Sequence, residues 1–190
     1  MYNMVKIANT KYPVIDLIKN RWSARSFSTK KISDEELHTI IEAAAWAPSA
    51  NNEQPWKFLT AKNGEEKFAK VWGSLMSGNQ PWCKNASAFI CVFANNTFQA
   101  SGKPNAWASH DVGIATGYLL LQATAMNIYC HPMAGYDQQK FKEAFSLEEG
   151  LVPQCIIALG YLDEAEKLEE PFKTREVTPR SRKSVESLLI

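Results

Sequence analysis

Ala47-Pro48-Ser49-Ala50-Asn51-Asn52-Glu53-Gln54-Pro55-Trp56 divides a helix from a strand, and its reading sets the order of the elements around it. Upstream, Ser33 and Glu36 have the spacing of a capping box, in which each side chain reaches the other's backbone N–H. Leu37, Ile40, Ile41 and Ala44 then recur at helical spacing. Pro48 stops that helix, because the residue before a proline is pushed out of the α region. Trp56 to Ala61 reads as a strand. The amides and the hydroxyl in between therefore lie on a loop stiffened by prolines. Such a loop can read the donor and acceptor edge of a heterocycle at little cost in ordering entropy.

On the other side of the same helix stands Arg21-Trp22-Ser23-Ala24-Arg25-Ser26-Phe27. Two guanidinium forks and a hydroxyl so close together suit a phosphate, since arginine binds planar oxyanions bidentately while staying charged. Taken alone, Arg21 and Arg25 read as a solvated surface pair. A second basic set, Arg180-Ser181-Arg182, changes that reading, because convergence of both sets on one phosphate would account for each. A flat, phosphorylated ligand satisfies both stretches.

The rest of the chain mixes helices and strands without strict alternation. A short amphipathic helix after Pro13, with Val14, Ile15, Leu17 and Ile18 on one broad face, ends at Asn20. Helices are also expected over 65–72 and 138–145, strands over 86–94, 128–133 and 152–161, and a surface loop over 97–105. The longest helix, 106–127, is small and apolar on most faces, which predicts burial nearly all round. Its Gly113 and Gly117 lie one turn apart and permit close packing or a subunit contact. This pattern favours an α+β fold over a doubly wound sheet.

At 190 residues the chain fits a single domain, 1–190. With 21 basic and 20 acidic residues the net charge is +1, so no global field steers it towards nucleic acid or an anionic membrane. The residues after Met1 lack the apolar stretch of a secretory signal, and 113–126 is too short to span a bilayer, so a cytoplasmic location is expected. Cys91, Cys130 and Cys155 sit in apolar runs, and all four cysteines, Cys83 included, read as structural. His38, His110 and His131 are far apart and no metal site is expected. His110-Asp111 lacks a nucleophile elbow, so Asp111 is read as a structural or capping contact. The tail ends on Val185, Leu188, Leu189 and Ile190, residues that need a surface to cover, such as a neighbouring subunit.

Four segments in order, Arg21 to Phe27, Ala47 to Trp56, Pro132-Met133-Ala134-Gly135 and Arg180-Ser181-Arg182, resemble the nitroreductase family of flavin-dependent oxidoreductases. They match its Arg-x-Ser-x-(Arg or Lys)-x-Phe segment, its Ala-Pro-Ser-x-x-Asn-x-Gln-Pro-Trp loop, its flavin-facing turn and its carboxy-terminal phosphate clamp. The resemblance implies a mixed sheet flanked by helices, a long buried central helix, and an intertwined homodimer whose arm, about 163–190, packs on the partner. It implies FMN as cofactor, with Arg21, Ser23, Arg180 and Arg182 on the phosphate and Arg25 at the pyrimidine side of the ring. Pro48, Ser49, Asn52 and Gln54 would come from, or be braced by, the partner subunit. The turn at Pro132, Met133, Ala134 and Gly135 would present a backbone N–H to the flavin N5. Trp22 and Ala50, which stand in these motifs where the family often has a basic residue and a second hydroxyl or small residue, are counted with the cofactor-binding residues. The implied reaction is ping-pong: NADH or NADPH reduces FMN, and a nitroaromatic, quinone or similar small acceptor takes the electrons, with no proton-transferring side chain. Segments 73–85 and 97–108 would choose the acceptor. The alternative is a flavin-binding or sequestering protein whose nicotinamide face is walled off by Trp72, Trp82 and Trp107.

Overall fold

Ala88–Asn95 is apolar until its last residue and buried from Ala88 to Ala94, and a strand of that kind must be covered on both faces. The computed structural model, which describes residues 2–190, covers it in that way. Met1, the first residue of the expected 1–190 domain, lies outside the described residues. The strand is β2 of a sheet ordered β1-β2-β4-β3, with β1 at Trp56–Lys62, β3 at Tyr129–Met133 and β4 at Leu151–Gly160. All three pairings are antiparallel, with Trp56 opposite Ala94, Ala88 opposite Leu159 and Tyr129 opposite Gly160. The α+β class is as expected, but the sheet is not mixed. Periodicity within a strand reports which side chains share a face and carries no information on the direction of its neighbour.

Two prolines mark irregular places in the ladder. Pro153 of β4 lies opposite Phe93, where the register shifts between Val92 and Phe93, as suits a residue with no N–H to donate. Pro132 lies in β3, an edge strand, where the missing donor is tolerated.

Alternation along β2 sends Ala88, Ile90, Val92 and Ala94 into one core and Phe89, Cys91 and Phe93 into the other. The first core is closed by α2 (Asp34–Ala45) through Leu37, Ile40 and Ala44, and by α5 (Ala108–Ala125) through Val112, Ala115, Leu119 and Ala123. The capping box of α2 is formed: Glu36 N–H donates to Ser33 Oγ at 3.1 Å, and Ser33 N–H to Glu36 Oε2 at 2.8 Å. The second core receives Phe68 and Val71 of α3 (Glu66–Ser74), Trp82 of α4 (Gln80–Cys83), Phe141 of α6 (Gln138–Phe145), and Trp22 and Phe27.

One expectation is corrected, and two further surfaces are left open by the single chain. The helix before Asn20 is only Asp16–Asn20 (α1), with no buried residue, so its apolar face is not covered by its own chain. Helix α5 is covered on one face by its own chain: Ser109, His110, Gly113 and Tyr118 are exposed, and a Cβ on Gly113 or Gly117 would meet nothing within 4 Å. Its small residues leave an open surface instead of a tight intrachain contact. The segment 163–190 has some contacts with its own chain: just before it Phe27 and Leu162 form a β-bridge, and within it the carbonyls of Arg175 and Thr178, at the end of α7 (Phe172–Val177), accept from Lys6 Nζ. Beyond Arg180, the apolar side chains of Leu188, Leu189 and Ile190 are exposed.

At Gly160 the lack of a side chain is required by close approach, since a Cβ there would stand 2.6 Å from the Phe27 ring. Gly160→Ala must displace that ring and the extended segment behind it. We expect urea unfolding to show a loss of about 1–3 kcal/mol, the usual cost of overpacking a core.

Candidate functional site

From Arg21 to Phe27 the backbone is extended, and burial alternates along it: Trp22 and Ala24 are buried, while Arg21, Ser23 and Arg25 are partly exposed. An extended segment turns successive side chains to opposite sides, so one apolar side anchors the stretch and the other presents the two guanidinium groups and the hydroxyl. Trp22 is thereby corrected as a side-chain contact to any ligand. It is 4% exposed, packs edge-on against Tyr129 at 5.8 Å and lies beneath the Lys6 ammonium at 5.2 Å.

The two basic sets converge. Arg180 Nη1 donates to the carbonyl of Arg21 at 2.5 Å and its Nη2 to that of Lys19, which ties the carboxy-terminal segment to the first stretch. Desolvation pushes the pKa of Arg21 down, and the charge of Arg182 pushes it further. Desolvation likewise lowers Arg180, helped by Arg21 and Arg182. Among the described residues no ion pair joins Arg21, Arg180 or Arg182 to a carboxylate. Arg180 differs from expectation in that its two terminal nitrogens are spent on backbone carbonyls. Its Nε is buried with no hydrogen-bond partner among the described residues. Three mutually repelling guanidinium groups and an orphaned N–H make a place that favours an anion.

Strand β3 brings the turn to the same neighbourhood. His131 Nδ1 lies 3.0 Å from the carbonyl of Ala24, and its ring packs on Trp82 at 4.4 Å. Burial, then the charge of Arg25, pushes this imidazole down from 6.5 to about 4, so it is neutral at ordinary pH. The next residues are Pro132 and Met133, and Met133 points into the core with 4% exposure. Ala134 is exposed. The Gly135 carbonyl accepts from Met76 N–H and Asn79 Nδ2, each at 3.0 Å, whereas its own N–H bonds to no described residue. A Cβ on Gly135 would stand 2.8 Å from Asn79 Nδ2, so only glycine fits this turn unchanged.

The loop 47–56 has separate support. Asp111, on α5, accepts the Ala50 N–H at 2.9 Å, the structural contact expected of it. Ser49 Oγ accepts the Gln54 N–H at 3.0 Å, and Gln54 Nε2 donates to the Asn52 carbonyl at 3.1 Å. Asn51, Asn52 and Gln54 have φ of 55°, 55° and 52°, a region asparagine tolerates and glutamine seldom enters. Pro48, Asn52 and Gln54 are exposed, and no hydrogen bond or ion pair among the described residues joins this loop to the arginines. In a single chain the two halves of the expected cradle therefore stay apart.

The nitroreductase family profile matches residues 18–81 and 74–161. A protein of Archaeoglobus fulgidus, assigned as an NADH dehydrogenase/NAD(P)H nitroreductase, is 32% identical over 151 residues, covering 77% of this chain and 84% of its own length. The major NAD(P)H-flavin oxidoreductase of Aliivibrio fischeri is 23% identical over 220 residues, covering 94% and 98%. Among solved structures, an oxidoreductase containing FMN superposes with a TM-score of 0.91 at 33% identity, covering 96% of this chain and 93% of that one. The chain belongs to the nitroreductase family.

Within this nitroreductase-family chain, Asp111 was legible in the sequence, but Glu176, His131 and Lys6 were not. Their partners are Arg25 and Ser26, Ala24, and the end of α7, contacts too distant in sequence for any spacing to reveal. Among the described residues no group of three His, Cys, Asp or Glu side chains could hold a metal ion. Burial pushes the thiols of Cys83 and Cys130 up to about 12 and that of Cys155 up to about 11, so none is a ready nucleophile.

The depressed imidazole carries a pH prediction. Unfolding frees His131 to take a proton near 6.5, whereas the folded chain resists until about 4. The unfolded state thus binds more protons in that window, and stability falls as pH falls through it. We expect a loss on the order of 1–3 kcal/mol between these limits, and a His131→Gln variant whose denaturation midpoints are flatter over the same range.

Proposed function

We propose that this chain is an FMN-dependent NAD(P)H oxidoreductase, working by ping-pong turnover through one open site on a nitroaromatic, quinone or similar small acceptor. The observation that carries the reading is the convergence of Arg21, Arg180 and Arg182 with no ion pair to a carboxylate among the described residues, together with a turn whose Gly135 N–H bonds to no described residue. The phosphate of FMN would meet Arg21, Ser23 and Arg182, with the buried Arg180 Nε as a further donor. Arg25 would stand at the pyrimidine side, and the Gly135 N–H would face N5. When bound, FMN supplies hydride acceptance and donation at N5.

The protein's own contribution is binding and electrostatics. Trp22 and Ala24 anchor the segment from its buried side, and Asn79 fixes the Gly135 carbonyl while the Gly135 N–H bonds to no described residue. Arg25 provides positive charge where electron density accumulates, which favours the reaction without any proton-transferring side chain. NADH and NADPH both remain compatible as reductants.

A homodimer is part of this reading. The open Gly113 and Gly117 face of α5, the exposed residues of loop 47–56 and the apolar tail are all surfaces that a second copy would cover. Pro48, Ser49, Ala50, Asn52 and Gln54 would then complete the partner's site. Four cysteines free of disulfides fit the reducing cytoplasm, and no helix among the described residues is long and apolar enough to cross a membrane.

The sequestering alternative needs Trp72, Trp82 and Trp107 as its wall, and the burial of Trp82, 3% exposed beneath His131, speaks against its part in one. The purified chain, reconstituted with FMN, is expected to show a flavin absorbance band that bleaches under anaerobic NADH or NADPH and returns when a quinone is added. A band that never bleaches would favour sequestration, and absence of any band would defeat the FMN reading. Arg182→Ala is expected to weaken FMN binding by about 1.5–3 kcal/mol, the value of a charged hydrogen bond, as read by equilibrium dialysis. Sedimentation should give the mass of two chains.

A further inference from the structure

Glu176 is a fully buried carboxylate that the proposed chemistry does not use. It sits on α7, and its Oε1 accepts the N–H of Arg25 at 2.9 Å and of Ser26 at 3.0 Å. Its Oε2 lies 3.1 Å from the same Arg25 nitrogen and 3.9 Å from Arg25 Nη1. The Arg25 guanidinium in turn lies over the Trp82 ring, 5.9 Å from its centroid, and His131 packs on that same indole. Arg25 is therefore set between an aromatic face and a buried negative charge, with one carboxylate holding both its backbone and its side chain.

Holding two backbone amides needs only a neutral acceptor, and a wholly buried carboxylate is costly unless a cation pairs with it. Arg25 is the near cation, and Lys6 also lies within reach of the field of Glu176. The interaction works both ways: whatever positive potential Arg25 projects outward, Glu176 subtracts from it, and the effect is strong because little water intervenes.

We propose that Glu176 is a positioning residue that fixes Arg25 and, by partly cancelling its charge, holds the midpoint potential of the bound flavin below the value Arg25 alone would set. This rests on the FMN reading above. A cation beside the pyrimidine edge favours the electron-rich form of the ring and raises its potential, and a carboxylate behind that cation opposes the rise. The result is a stronger donor to the acceptor, obtained without moving any group that touches the ring.

The test is the midpoint potential of the FMN-loaded protein, read spectrophotometrically by anaerobic titration against reference dyes. Glu176→Gln keeps an oxygen that accepts both N–H groups and removes the charge, so its potential is expected to move to more positive values. Glu176→Asp keeps the charge but withdraws it from Arg25, and its potential is expected to move the same way by less. Should the Gln variant fail to fold, the Asp variant carries the test alone. Potentials equal to wild type in variants that retain FMN would overturn the inference while leaving the FMN reading intact. A wild-type chain that takes up no FMN would overturn both.

Discussion

One buried carboxylate joins the two ends of this molecule. Glu176, delivered by α7 late in the chain, accepts hydrogen bonds from the backbone of Arg25 and Ser26 near its start. Lys6 grips the end of the same helix, and Arg180 grips the carbonyls of Lys19 and Arg21. Each bond spans more than a hundred residues of sequence. With those bonds in place, the extended segment 21–27 has its path set from outside the sheet. Its alternation then decides which side chains are anchors and which are offered to a ligand.

The charge balance of the site follows from the same closure. A chain of net charge +1 concentrates Arg21, Arg180 and Arg182, whose charges oppose one another, and none of the three has an ion pair with a carboxylate among the described residues. Such a cluster is unfavourable by itself and becomes favourable around an anion. Arg25, a short step along the same segment, is treated differently, because it alone has a buried carboxylate behind it. Two arginines of one motif thus have opposite electrostatic settings.

Local signals were well represented in the sequence. The Ser33–Glu36 capping box formed as its spacing required, and α6 begins and ends where its pattern placed it, at Gln138–Phe145. β2 was recognisable because an unbroken apolar run needs cover on both faces. The same reasoning leaves open what covers α5, since small residues on every face look alike whether they meet a neighbour in the same chain or are left open for another. It also placed Trp22 at the ligand, where the alternation of the extended backbone puts it in the core.

The sequence by itself determined the α+β class, the capped helix, the amide loop and the residue types able to hold a phosphate and a flat ring. These depend on spacings of a few residues, which backbone geometry converts directly into shared faces and caps. Only the tertiary structure decided that the sheet is antiparallel, that Arg180 clamps backbone instead of standing free, and that Glu176, His131 and Lys6 support the site. The reason is physical: strand direction and buried ion pairing are set by contacts between distant segments, which no local periodicity encodes.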